Sequence, residues 1–556
     1  MEFTCKLFLP FIFILFYIPR NHAGYGGNDI FTSLEAMRRL WAEERIFVEK
    51  IEQVIRDMKT IVPEMERYVE SHKKLELNQE PNVDYLGHPI NGYNLIKHAA
   101  MGWKNFHFKI NPHLNETITN LDYMQNRANN TAISGYDEIE GAAFGIARLQ
   151  SQYNLDPNKM FKEGIIETHL NLKHIRSEPS IRKFTSDDLF QIGKEGVNNG
   201  LENVGIDGMK CAIDLKVIEL AQNESKMNET DEDYLNLWLE EPVDLPSMEQ
   251  YYKQIVERHD LRLLKSGSRT QNIRRFTYPV GNTLSKKEVK KIAKNEKKLA
   301  KTKLIREDKV EDPFTGSHLV DHYVAEEHNF KIDYQKEMLC AGQPFRNASE
   351  DKDLKCFYAH NNSPWLKLAP IKVDMQNHEP YVAVLRELMY THECDGITNF
   401  LGNHLGSPPG RMKAKGGGKN DWTMKNVWPD EDSYPALDKM TRRVQHITGL
   451  LSSSKKQESD NFMCGNYGIG GHYGVHPDYH KYSAPSYNIN RISTVLSVLD
   501  DPEAGGATVW PFLGVNVFPE KGSAVWWFNT KSDSVPDLET KHAACPVLLG
   551  QKWSKF

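Results

Sequence analysis

The sequence predicts a multidomain protein that is all-α through its N-terminal half and β-rich beyond Pro370. Three observations carry this reading. At 556 residues the chain is too long for one core, and three or more domains are expected. From Phe31 to Ile55 apolar residues recur at spacings of three and four. Beyond Pro370 the texture changes to short apolar runs separated by turn residues, the pattern of a sandwich or jelly-roll barrel. A hydrophobic fraction of 39% and a charged fraction of 26% are those of a soluble protein. The net charge of −6 gives no reason to expect nucleic-acid or membrane-surface binding.

Residues 1–23 have a signal-peptide layout: Lys6, an apolar run from Leu7 to Ile18, then the small residues Ala23 and Gly24. The run is too short and too N-terminal for a membrane span, so none is expected after its removal. A secretory route agrees with Asn-x-Ser/Thr sequons at Asn115, Asn129, Asn223, Asn228, Asn347 and Asn361, the candidate glycosylation sites. It also permits oxidation of the six cysteines that remain, Cys211, Cys340, Cys356, Cys394, Cys464 and Cys545. There is no Cys-x-x-Cys for a structural zinc ribbon. The sequence ends Ser554-Lys555-Phe556, without a retention tetrapeptide.

Residues 24–165 form a helical N-terminal segment. Phe31, Leu34, Met37, Leu40, Trp41, Val48, Ile51 and Ile55 lie on one face of an amphipathic helix capped by the Asp29–Ser33 region. A second helix is expected from Ile139 to Tyr153. A self-packed bundle and a dimerisation domain both fit this pattern. Residues 166–265 open on a helix start at Phe184–Phe190, with Thr185 or Ser186 as cap and acids in the first turn. Helical patterning continues to about Leu264, as in a small helix-hairpin repeat unit. Tyr234, Trp238, Tyr251 and Tyr252 are candidates to line a groove for a proline-rich peptide, with core packing as the competing role. Residues 266–366 hold a lysine-dense stretch over 286–306, which Glu288 and Glu296 interrupt and no aromatics interleave. It reads as a solvated helix or linker. In the same segment Cys340 and Cys356 are close in sequence and are expected to form a local disulfide.

Residues 367–556 contain the β-rich runs Ile492–Leu499, Ala507–Trp510, Gly522–Phe528 and Pro546–Leu549, and a Gly/Pro/Lys loop over 406–419. Within them stand His476-Pro477-Asp478 and the distant His542, the ligand order of a 2-His-1-carboxylate iron site with open positions. With 21 His in the chain, about three His-x-acid matches are expected by chance, so the motif is weak alone. Its place among strands, and Lys552 following the second His, strengthen it. A zinc hydrolase is the chemical alternative, since zinc takes the same ligands, but the His-Glu-x-x-His helix signature is absent.

The run Asn466-Tyr467-Gly468-Ile469-Gly470-Gly471-His472-Tyr473-Gly474-Val475-His476-Pro477-Asp478 resembles the α subunit of collagen prolyl 4-hydroxylase. So do Gly505-Gly506-Ala507-Thr508-Val509, Lys521–Val525 and His542-Ala543-Ala544-Cys545-Pro546 through Lys552-Trp553. Asp29–Ser33, Ala147–Gln150 with Tyr153–Leu155, and Met338-Leu339-Cys340 extend the resemblance toward the N-terminus. It implies an N-terminal dimerisation region, a helical-repeat peptide-binding region and a double-stranded β-helix (jelly-roll) catalytic domain. It implies that His476, Asp478 and His542 hold Fe(II). Lys552 would pair with the distal carboxylate of 2-oxoglutarate, assisted by Tyr467 and Thr508, and Tyr473 and Arg491 would contact the peptide. The implied reaction is O2-dependent hydroxylation of C4 of proline in X-Pro-Gly sequences of procollagen-like chains. It is coupled to decarboxylation of 2-oxoglutarate to succinate and CO2, with L-ascorbate rescuing oxidised iron. The implied assembly is an α2β2 tetramer in the endoplasmic reticulum lumen, with protein disulfide isomerase as the β subunit.

The sequence departs from the family at several points. Pro477 stands where a Phe is usual, and proline removes a backbone donor beside both ligands. His472 replaces a Gln, and the Ser-Lys-Ser-Ala-Trp segment before Tyr434 is missing. No second Lys-Trp, closing strand or final cysteine follows Trp553, so the catalytic domain reads as truncated at its C-terminal end. That predicts an open sheet edge and leaves Cys545 without its usual partner. A weakly active or inactive member that binds collagen peptides or the β subunit is the alternative these departures raise.

Overall fold

A computed structural model of the chain describes residues 30–73, 89–129, 136–225, 243–266, 332–343, 346, 348–361, 363–402, 404–405, 422–479 and 490–555. The signal peptide, the lysine-dense 286–306 stretch, the 406–419 loop, Tyr234, Trp238, Asn228 and Asn347 lie outside the described residues. Among those described, no helix is long and apolar enough to cross a membrane. Contacts divide the chain into two units, one made of residues 37–135 and the other of 29–36 with 136–556.

The first unit is helical. Its main element is the expected amphipathic helix, Leu34–Lys73, followed by Pro89–Lys97, a π-helical turn His98–Gly102 and the helix Trp103–Asn129. Tyr68 packs against Phe106 and His98 at 4.7 and 5.2 Å, and the buried Asp57 accepts from His113 at 2.9 Å. Much of the apolar face stays exposed, Trp41 to 78% and Val48 to 50%. Asn115 is exposed on its helix.

In the second unit the helix Tyr136–Tyr153 begins a layer completed by Ser186–Asn198, Glu202–Ser225 and Leu245–Ser266. Thr185 caps Ser186–Asn198 in a full capping box with Asp188, so the sequence reading of this start holds. Ser186–Asn198 and Glu202–Ser225 cross closely enough that a Cβ on Gly208 would lie 3.1 Å from the Gly193 Cα. Tyr251 and Tyr252 pack at the helix interface with Val197, Met209 and Val256, which is the core role rather than an open groove. A hairpin, β1 (Glu167–Leu170) and β2 (Lys173–Arg176), was not expected. Its turn uses Asn171 and Leu172, both at positive φ, without the glycine that normally announces such a turn.

The remaining strands are β3 (Cys356–Ala359), β4 (Ile371–Asn377), β5 (Val382–Arg386), β6 (Trp422–Thr423), β7 (Lys425–Val427), β8 (Cys464–Tyr467), β9 (His472–His476), β10 (Ser493–Asp500), β11 (Ala504–Gly505), β12 (Thr508–Trp510), β13 (Val515–Val517), β14 (Ala524–Phe528), β15 (His542–Ala544), β16 (Val547–Leu549) and β17 (Lys552–Lys555). They form an eight-stranded sheet β3-β4-β5-β14-β10-β17-β8-β7, a five-stranded sheet β13-β12-β15-β9-β6 and the pair β11-β16, all antiparallel. Alternation along the strands explains the layering. Val382, Val384, Val525 and Trp527 pack with Trp510 and Val515 of the smaller sheet. Their neighbours Ala383, Leu385, Ala524 and Trp526 pack instead with the helices Thr391–Gly402 and Pro435–Thr448. Both faces of the large sheet are covered, which is why β14 reads as an unbroken apolar run.

Two expectations are corrected here. β17 pairs with β10 on one side and β8 on the other, so it lies inside the large sheet and no edge opens after Trp553. Cys340 bonds to Cys545, with Cα atoms 5.6 Å apart, and not to Cys356. The reason is placement. Leu339 and Cys340 pack on the smaller sheet against Val509 and Ala543, whereas Cys356 sits on β3, the edge of the larger one. Cys356 is an exposed free thiol that donates to Asp374 at 3.1 Å.

Candidate active site

Short strands rich in histidine, glycine and alanine deliver the site. β9 ends on His476 and β15 begins on His542, and the two residues are register partners. Asp478 follows two residues later. Pro477 stands just past the last residue of β9, so its missing N–H removes no ladder bond from that strand. His476, Asp478 and His542 converge, with one ligand atom from each lying within 4.8 Å of the others. Asp478 Oδ1 is 3.5 Å from His476 Nε2 and 3.6 Å from His542 Nε2.

Hydrogen bonds set which nitrogen points inward. His476 Nδ1 lies 2.7 Å from the Gly474 carbonyl and His542 Nδ1 lies 3.1 Å from the Thr540 carbonyl. A carbonyl only accepts, so each Nδ1 carries a proton and Nε2 is the nitrogen left to face the triad. Both Nε2 atoms are buried without a hydrogen-bond partner. Burial pushes the His542 pKa down to about 4, against the opposing pull of Asp478, so the ring is neutral. Burial alone would favour the acid form of Asp478, but His542, His476 and the Thr494 hydroxyl overcome it and keep the carboxylate ionised. Two imidazoles whose Nε2 atoms lack a hydrogen-bond partner, beside one ionised carboxylate, fit a divalent first-row metal.

Lys552 lies beyond the triad on β17, 2% exposed. Its Nζ donates to the Gly506 carbonyl at 2.7 Å and stands 5.5 Å from the centre of the Tyr467 ring, its cross-strand partner. Burial pushes its pKa down to about 7, and no carboxylate among the described residues pairs with it. A buried amine of this kind lacks an anion. The buried Thr508 is two residues from Gly506, on the strand that pairs with β15.

Tyr473 stacks on the His476 ring at 3.6 Å and on Trp422 at 5.1 Å, making an aromatic wall that ends on the triad. Arg491 reaches the same region, with Nε on Asp460 at 2.6 Å and Nη1 on the Asp478 carbonyl at 3.3 Å. His472 takes part differently: its Nδ1 bonds Thr423 Oγ1, which also accepts from Arg148 at 3.3 Å. Sequence reading missed Trp422, and it missed Thr494, Asn529 and Trp527, which stand behind Asp478. Thr494 belongs to a recognised strand, and its period-two partner Leu496 faces the space between the sheets. That alternation was the available signal.

The far N-terminal residues also touch this region. The glycine-rich stretch after β8 is held by Gly468 N donating to the Thr32 carbonyl at 2.8 Å and Ile469 N to the Phe31 carbonyl at 3.1 Å. Ser33 Oγ donates to Asn466 Oδ1 at 2.7 Å, and Arg148 Nη1 donates to the Gly470 carbonyl at 3.0 Å.

Residues 33–167 match the family model for the prolyl 4-hydroxylase alpha-subunit N-terminal region, and residues 462–556 match the 2OG-Fe(II) oxygenase superfamily. Over most of its length the chain is similar to prolyl 4-hydroxylase alpha subunits. The Caenorhabditis elegans prolyl 4-hydroxylase subunit alpha-2 is 28% identical over 555 residues, covering 96% of this chain and 91% of the relative. The Gallus gallus prolyl 4-hydroxylase subunit alpha-2 is 27% identical over 553 residues, covering 98% and 95%. Among solved structures, the viral collagen prolyl hydroxylase of Paramecium Bursaria Chlorella virus-1 aligns with 32% of this chain and 93% of its own, at 21% identity and a TM-score of 0.25. The match to the 2OG-Fe(II) oxygenase superfamily supports Fe(II), 2-oxoglutarate and O2 as the cofactor and co-substrates.

Proposed function

We propose that the chain hydroxylates C4 of proline in X-Pro-Gly sequences of procollagen-like chains, coupled to conversion of 2-oxoglutarate to succinate and CO2. The observation that carries this reading is the pair of Nε2 atoms, without a hydrogen-bond partner, facing one oxygen of Asp478. His476, Asp478 and His542 would hold Fe(II), which when bound supplies the oxidising chemistry for O2 and 2-oxoglutarate. The protein's own groups bind and orient. Lys552 meets the distal carboxylate of 2-oxoglutarate, the anion its burial calls for, with Tyr467 and Thr508 alongside. The Tyr473–His476 stack and Arg491 bound the side from which a peptide proline would approach.

In this reading the two sheets form a double-stranded β-helix. Residues 24–165 serve dimerisation, consistent with the exposed apolar face of Leu34–Lys73, and 166–265 form a helical-repeat peptide-binding region. Protein disulfide isomerase would be the β partner, ascorbate the reductant and the endoplasmic reticulum lumen the site of action. Glycosylation is proposed at the sequons, of which Asn115 and Asn361 are exposed. The test is 2-oxoglutarate decarboxylation by purified protein with and without a (Pro-Pro-Gly)-type peptide. Peptide-stimulated turnover is expected, and His476→Ala should lose it. Robust peptide hydroxylation by His476→Ala would sink the triad assignment.

A further inference from the structure

Behind Asp478 runs a buried chain of three hydrogen bonds. Trp527 Nε1 donates to Asn529 Oδ1 at 2.8 Å, Asn529 Nδ2 donates to Thr494 Oγ1 at 2.9 Å, and Thr494 Oγ1 donates to Asp478 Oδ2 at 2.7 Å. Every member is at least nine-tenths buried, and Trp527 and Asn529 have no exposed surface. The backbone fixes the spacing. Thr494 and Trp527 are register partners across β10 and β14, and the Asn529 N–H is held by the Ile492 carbonyl at 2.8 Å.

The polarity of the chain follows from donor chemistry alone. An indole N–H can only donate, so the Asn529 amide must turn its oxygen toward Trp527 and its NH2 toward Thr494. The Thr494 oxygen then accepts a hydrogen bond from Asn529, and its own hydroxyl must donate to the Asp478 carboxylate, which only accepts. One oxygen of Asp478 is thereby committed away from the triad. The other, Oδ1, is the one that faces His476 and His542.

We propose that Trp527, Asn529 and Thr494 are positioning residues that force Asp478 to bind the metal through Oδ1 alone. This inference rests on the metal reading of the triad. Its consequence is chemical. A carboxylate free to rotate can offer both oxygens to one cation and occupy a position that a co-substrate needs. A carboxylate whose second oxygen is tied to a polarised hydroxyl cannot do so.

The test titrates the full-length, metal-free protein with Co(II), following affinity by calorimetry and geometry by the visible absorption of the bound ion. Thr494→Val keeps the shape and removes the donor. It should weaken Co(II) by about 10- to 100-fold and change the spectrum. Thr494→Ser keeps the donor and should restore both, and Trp527→Phe should give a smaller change in the same direction. The inference is overturned if Thr494→Val matches wild type in affinity and spectrum while His476→Ala has lost Co(II). Equal impairment of Thr494→Ser and Thr494→Val also overturns it, because packing rather than the hydroxyl would then be responsible. If Thr494→Val does not fold, as judged by melting, Trp527→Phe decides, and a wild-type spectrum there counts against the inference. Wild-type Co(II) binding by His476→Ala would overturn the metal reading itself, and this inference with it.

Discussion

Lys552 is held where a cation is least comfortable, 2% exposed with a single carbonyl as partner. Its folded pKa of about 7 lies far below the unfolded value of 10.5. Between those two values the unfolded chain binds a proton that the folded, ligand-free chain has released. Stability therefore rises with pH from about 7 to 10, and the burial penalty is fully present below pH 7. Lys552→Met should melt higher than wild type at pH 7, and the gap should narrow at pH 9. Lys555, also buried with a pKa pushed down to about 7, adds the same slope to both proteins and cancels in the comparison. The same variant should raise the KM for 2-oxoglutarate by at least about tenfold, since a buried charge-assisted pair is lost. A variant that melts lower at pH 7, or keeps its 2-oxoglutarate affinity, would contradict this account of Lys552. For wild type, 2-oxoglutarate binding above pH 7 should take up a proton, measurable by calorimetry in buffers of different ionisation heat.

At the scale of elements, strand placement decides what the sequence leaves open. Peptide mapping without reduction should recover Cys340 linked to Cys545, with Cys356 alkylated as a free thiol. A Cys340–Cys356 peptide would refute the arrangement. The runs read as strands at 492–499, 507–510, 522–528 and 546–549 correspond to β10, β12, β14 and β16. They were legible because burial on two faces leaves near-continuous apolar sequence. The strands that carry the chemistry, β9 and β15, read His472-Tyr473-Gly474-Val475-His476 and His542-Ala543-Ala544, with no apolar pattern to find. Their motif gave them away where their periodicity could not. The disulfide was not legible, because it depends on which sheet each cysteine packs upon. The relay behind Asp478 escaped for a similar reason: Thr494 and Asn529 become partners only through the β10–β14 register.

For the whole molecule, the division of the chain at residue 367 does not mark a separable core. Ala504 and Leu548 of the β-rich region are buried in one cluster with Ala147, Tyr153, Leu189 and Met248 of the helices. Tyr153 donates to the Pro546 carbonyl, immediately after Cys545. A fragment spanning 367–556 holds all the triad residues, yet it exposes that shared cluster and should show no cooperative melting transition and no 2-oxoglutarate turnover. A fragment that melts cooperatively and turns over would place the core elsewhere. Arg148→Ala in the full chain is a milder version, removing two hydrogen bonds to the stretch around Thr423 and Gly470. It should lower turnover more than it lowers the melting temperature.

The bond between Ser33 and Asn466 spans 433 positions of sequence. During synthesis its first partner waits for nearly the entire chain to be made before the second exists, and Lys552 arrives later still. The N-terminal helices can form locally as they emerge, but Phe31, Thr32 and Ser33 have nothing to hold until the glycine-rich stretch is made. Until the late strands are made the core stays unfinished and its apolar surface exposed, the state in which chains aggregate. The site is completed last, since His476, Asp478, His542 and Lys552 all lie in the final part of the chain to be made.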